Sequence, residues 1–237
     1  MIGSHELVHN IGGDGDTNAN TTRRVLLLLE SLPIANGEVY SRVRRQILRR
    51  YLEDDRGLLY GASQVRIPRF LLNDVTRYWR TITVDFVYKQ QADNDKKWAL
   101  RNAKLRMSRK LIFAAGLLHR FFCHLDPEAE PAREALLQMD VSALTVYLDR
   151  HLSLPPLEVV AQACLTLSIS KETSLAVFDA YDLFLAILDN TEKRAELAQT
   201  HTHEDLRKSQ TWKEIQQVSH PFHAALLSLF FSRKMNG

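Results

Sequence analysis

The chain has 237 residues, 45% hydrophobic and 25% charged, with 31 Lys or Arg against 28 Asp or Glu and a formal net charge of +3. These are ordinary values for a soluble globular protein and leave room for one large domain or two small ones. They argue against a dedicated nucleic-acid-binding domain, which carries more positive charge. Two cysteines, Cys123 and Cys164, exclude a disulfide framework, and no apolar run reaches membrane-spanning length. A reducing, cytoplasmic setting without membrane partners is the expectation. Nine Gly and seven Pro are few for this length and favour long regular elements. Abundant Leu and scarce β-branched runs make those elements helices. The predicted fold is all-α, an irregular multi-helix bundle of roughly eight to ten helices.

Residues 1–16 are Gly-rich without periodicity and read as a loose lead-in to a single helical domain over 17–237, with a sub-boundary near 125–131. Thr17 to Asn20 supply N-cap residue types, and Val25, Leu26, Leu28 and Leu29 give a first helix ending near Pro33. A second runs from about Asn36 to Asp54, with Val39, Val43, Ile47 and Tyr51 spaced by four. Its other face holds Arg42, Arg44, Arg45, Arg49 and Arg50. Pro68 opens a third helix to Gln91. Asp95 caps a long fourth helix through about Cys123, which Asp126-Pro127 breaks. Shorter helices are predicted near 128–138, 141–152 and 157–167. Another runs from Ser170 to about Gln199, and a final one is interrupted at His220-Pro221.

Charge is unevenly spread along these elements. Between Asp95 and Asp126 there is no acidic residue, while Lys96, Lys97, Arg101, Lys104, Arg106, Arg109, Lys110 and Arg120 stand there with His119 and His124. A concentrated basic surface attracts phosphate or carboxylate groups even when net charge is small. On the third helix, Asp74, Arg77, Thr81, Asp85 and Tyr88 share one face. One reading makes this face an internal ion-pair network, with Asp85 paired across the turn to an Arg or Lys of the fourth helix. The other makes it a ligand-facing wall, with Arg77 or Arg80 on phosphate. On the fourth helix, Leu100, Ala103, Met107, Leu111 and Ala114 form the stripe to be buried. The basic residues beside it read either as a solvated face or as a phosphate channel, where Arg offers a fork and Lys a point charge. Candidate ligand-binding residues are therefore Arg77, Arg80, Asp85, Lys104, Arg106, Arg109 and Lys110.

Other chemistry-bearing patterns are weak. Neither His201-Thr202-His203-Glu204 nor His220-Pro221-Phe222-His223 is HExxH, and no Cys stands near either; both read as surface histidines, so no metal site is assigned. Cys123 and His124 are adjacent, which does not build a nucleophile–base pair. No phosphate-binding glycine loop or nucleophile elbow is present. Catalytic residues are therefore not assignable.

The segments RFLLNDVTRYWRTITVDFVYK (Arg69 to Lys89), KWALRNAKLRMSRKLIFAAGLL (Lys97 to Leu118) and DTNANTTRRVLLLLES (Asp16 to Ser31) resemble a bacterial family of nucleotidyltransferase-like proteins of the polymerase-β-type superfamily. The resemblance implies an N-terminal αβ palm bearing metal-binding carboxylates, with a helical domain packed beside it. This chain resembles the helical region alone, lacking the palm. Gly3-Ser4 and Asp14-Gly15-Asp16 match the palm's Gly-Ser … Asp-x-Asp pattern only superficially, because Gly12, Gly13, Thr17 and Asn18 make loop composition rather than a strand. Magnesium and a nucleoside triphosphate are thus implied by the resemblance only, with no cofactor on this chain, and the isolated chain is not expected to be catalytic. Two functions emerge as expectations. One is a helical accessory domain whose basic surface takes a nucleotide or an acceptor's phosphates. The alternative is a non-catalytic interaction module that sets its basic face against an acidic partner, such as a catalytic palm domain.

Overall fold

The computed structural model describes residues 3–53, 68–92, 97–125, 134, 138, 140–201 and 203–231. It is all-helical, with no strand among the described residues. The helices are α1 (Ser4–His9), α2 (Asn18–Leu29), α3 (Gly37–Glu53), α4 (Arg69–Ala92), α5 (Trp98–Lys104), α6 (Lys110–Leu125), α7 (Val141–Leu152), α8 (Pro156–Thr166), α9 (Lys171–Asp189), α10 (Thr191–Gln199), α11 (His203–Lys208) and α12 (Gln210–Phe230). A π-helical turn, Leu105–Arg109, joins α5 to α6. None of these helices is long and apolar enough to cross a membrane.

Side-chain caps fix several starts. The Thr17 hydroxyl accepts from the Asn20 N–H at 3.2 Å and the Asp140 carboxylate from the Ala143 N–H at 3.0 Å. Ser170, Asn190 and Ser209 do the same for the N–H groups of Thr173, Lys193 and Trp212. Each satisfies a donor that the first helical turn would otherwise leave without a partner.

The chain divides into two compact units that interleave along the sequence. The first takes the chain up to Thr81 together with Ile112–Thr166; the second takes Ile82–Leu111 and everything from Leu167 on. In the first unit, α3 packs on α7, and α1 lies on α2 and α3. Ile47, Leu48, Tyr51, Leu71, Tyr78, Leu118, Leu148 and Val159 form its fully buried core. In the second, α9 and α12 form the main pair, and α5 packs on α10 and α12. Its core is Ala103, Met107, Val177, Phe184, Leu197, Ile215, Phe222 and Leu229.

Five local expectations are corrected or refined. The lead-in holds a helix, α1, because Leu7 and Ile11 are buried and anchor it. The fourth helix runs helical from Trp98 to Leu125, as expected, but is not α-helical throughout: a π turn, Leu105–Arg109, stands between α5 and α6. The helix predicted from Ser170 to Gln199 is two, because Asn190 leaves helical geometry (φ −69°, ψ 113°) and caps α10. The final helix runs unbroken through Pro221. Pro221 is exposed, and the neighbouring Phe222 is fully buried. Burial of Phe222 and Leu226 offsets the cost of a proline in a helix interior, about 3 kcal/mol. Asp85 pairs within its own helix, with Lys89 Nζ at 2.7 Å, and among the described residues not across the turn. The helix predicted at 128–138, the sub-boundary near 125–131 and the Asp95 cap fall almost wholly outside the described residues.

Candidate functional site

Two charged clusters stand out, one in each unit, and they differ in how their charges are answered. In the first unit, Arg24 is completely buried on the face of α2 that also carries Thr21, Val25 and Leu28. Its two terminal nitrogens donate to both oxygens of Asp16, at 2.7 and 2.6 Å, and one of them also donates to Asp74 at 2.8 Å. Its Nε donates to the Tyr51 hydroxyl at 2.9 Å, and that hydroxyl donates to Asp74 at 2.5 Å. Arg77 closes the network on Asp74 at 3.2 Å and on the Asp16 carbonyl at 3.3 Å. Two cations meet two anions, so the buried charge balances. Burial alone lowers the Arg24 pKa, but hydrogen bonding to Asp16 and then the Tyr51 and Asp74 contacts outweigh it and raise it above the ordinary value. Burial, followed by the Asp74 charge, pushes the Tyr51 hydroxyl well up. This network ties the Asp16 loop to α2, α3 and α4. Asp16, the second carboxylate of the Asp-Gly-Asp sequence, is committed to arginine and is not presented to a metal ion.

The second cluster lies on the π turn and the start of α6. Arg106 is half-buried, donates from Nε to Asn102 Oδ1 at 3.0 Å, and lays its guanidinium over the Trp212 ring at 5.7 Å. Lys110 comes four residues later and is also half-buried. Among the described residues neither Arg106 nor Lys110 has an acidic partner. Burial, and then the Arg106 charge, hold the Lys110 pKa below the usual lysine value. On α12, His220 and His223 lie one turn apart, and His223 is held below the usual imidazole value by burial first, then by Lys110 and by His220. Two cations and two imidazoles thus converge without an answering carboxylate among the described residues. Ser108 adds a hydroxyl that accepts from the Tyr181 O–H at 3.3 Å. An anion is the ligand such a set lacks. Arg supplies a planar fork and Lys a point charge, and part-burial strengthens both over their value in bulk water.

The seven sequence candidates therefore separate. Arg77 belongs to the buried network and Asp85 to a surface pair with Lys89. Arg80 and Lys104 are exposed, and Arg109 is half-buried. Arg106 and Lys110 form the core of the second cluster. Sequence reasoning missed Arg24, whose signal is its phase: Thr21, Arg24, Val25 and Leu28 fit the i, i+3, i+4, i+7 pattern of a buried face. It also missed His220 and His223 as companions of the basic segment, although their spacing puts both on one helical face. Among the described residues, no three His, Cys, Asp or Glu side chains form a metal-binding group. His201 instead accepts from the Lys97 backbone N–H at 3.3 Å. Compared with known proteins, the chain matches no family model, no curated protein and no solved structure.

Proposed function

We propose that this protein is a helical accessory module that holds phosphate-bearing ligands, a nucleotide or the phosphates of an acceptor, at the Arg106–Lys110 cluster. The observation that carries the reading is a half-buried Lys110 facing Arg106 with no acidic partner among the described residues. Part-buried charge without a partner is costly, and a bound anion removes that cost. The role is positioning and charge neutralisation rather than bond making. It fits the resemblance to the helical region of nucleotidyltransferase-like proteins, in which magnesium and triphosphate would belong to a separate palm.

Thermal unfolding with ATP, GTP, CTP, UTP and tripolyphosphate, each with and without magnesium, tests this. Saturating ligand, at a hundredfold over Kd, stabilises by about 2.7 kcal/mol and raises Tm measurably. The Lys110→Met variant keeps the aliphatic stem but not the charge. It is expected to melt slightly higher than wild type without ligand, because the unfavourable charge is gone, and to lose the phosphate response. A full response in Lys110→Met, or none in the wild type, contradicts the proposal.

A further inference from the structure

The first unit carries a second basic feature, independent of the Arg106–Lys110 cluster. A groove of about 630 Å³ runs between α3 and α7. Its α3 wall is an arginine row, Arg42, Arg45 and Arg49, and its α7 wall presents Ser142, Thr145 and Val146. Arg45 is held by Asp149 at 2.8 Å and Arg49 by Glu53 at 2.6 Å, both through Nε. Arg42 is exposed and makes no ion pair among the described residues. The terminal nitrogens of Arg45 and Arg49 have no other ion pair there, so forks remain for an incoming anion. Glu38 stands at the end of the same wall, so the groove is cationic along its length and anionic at one end.

We infer that this groove docks an extended acidic segment of a partner protein. Arg45 and Arg49 are four residues apart on a helix, about 6 Å along its axis. Alternate side chains of an extended peptide repeat at about 6.6–6.8 Å. A segment with acidic residues at every second position therefore sets its carboxylates against the arginine row. The intervening side chains turn to the other wall, where Val146 is exposed and Ser142 and Thr145 also line the groove. Glu38 repels a continued run of acids and accepts a basic residue or a backbone N–H at that end. Single-stranded nucleic acid fits less well: among the described residues no aromatic side chain lines the groove to stack a base, and Glu38 opposes a uniform polyanion.

The test is fluorescence anisotropy with a labelled peptide Ser-Glu-Val-Glu-Val-Glu-Ser, its Gln-for-Glu counterpart and an oligothymidylate of similar length. Saturable binding of the acidic peptide is expected, weakened by salt and absent for the Gln peptide. The Arg42→Gln/Arg49→Gln variant should weaken it about tenfold, as loss of two charge-assisted contacts implies. Arg45 is left in place because it also anchors Asp149. Both substituted side chains are exposed, so the fold should persist, as a circular dichroism melt will check. Val146→Glu, which puts a carboxylate into the groove, is a second variant with the same expected loss. Lys110→Met should bind the peptide as wild type does, which separates this groove from the phosphate site. Equal binding of the Gln peptide, wild-type binding by both groove variants, no saturable binding by the folded protein, or displacement of the peptide by oligothymidylate overturns the inference.

Discussion

At the scale of single residues, the sequence shows a tandem Arg23-Arg24, and only helical phase distinguishes them. Arg24 falls on the buried stripe of α2 and becomes the centre of a closed network with Asp16, Asp74, Tyr51 and Arg77. The direct partners of Arg24 lie as far as 50 residues away, and local pattern does not reveal pairings at that range. Removing one member strands the others. Asp74→Asn keeps the shape but leaves Arg24 short of one countercharge, so it should cost roughly 3–5 kcal/mol in urea unfolding. A loss below about 1 kcal/mol would show that the network is not integral to the fold. The second residue-scale expectation concerns pH. His223 has a depressed pKa in the folded protein, so it stays neutral through neutral pH and protonates below its ordinary value of 6.5. Without ligand, its contribution to stability is complete above pH 6.5 and is lost as pH falls through the folded value. A bound anion favours the imidazolium, so affinity for sulfate, whose own charge is constant in this range, should rise as pH drops from 8 to about 5.5. The His223→Gln variant should flatten that dependence, and an unchanged slope would remove His223 from the site.

At the scale of elements, most helices were legible because their caps are local: Thr17, Asp140 and Ser170 stand where the helices begin. The departures have tertiary causes. The π turn at Leu105–Arg109 does not alter the basic and apolar composition that marked the fourth helix, but it changes which basic residues share a side. Pro221 reads as a break locally, yet the buried Phe222 and Leu226 hold the helix through it. Close approach between helices was equally hidden. Gly116 on α6 lies so near α2 and α4 that an added Cβ would meet Leu29 Cδ1 at 2.9 Å and Val75 Cγ1 at 3.0 Å. Alanine gains about 1 kcal/mol of helix propensity over glycine, whereas overpacking costs about 1–3 kcal/mol. Gly116→Ala should therefore lower stability or leave it level in chemical denaturation. A gain approaching the full propensity difference would mean that α2, α4 and α6 are less tightly packed than described.

At the scale of the whole molecule, fold class was readable from composition, whereas the division into two units was not. Each unit draws on two separate stretches of chain, so no linker or change in composition marks the division. The concentration of positive charge between Asp95 and Asp126 was plain, but two features that give it meaning were not. One is that Arg106 and Lys110 are half-buried without an acidic partner among the described residues; the other is that α12 brings His220 and His223 to them. The most direct test of the central claim is calorimetric titration of tripolyphosphate into wild-type protein and Lys110→Met, at low and moderate salt. Stoichiometric binding to the wild type, weakened by salt and lost in Lys110→Met, is the expected result. Equal binding by the two proteins, or none by a folded wild type, would contradict it.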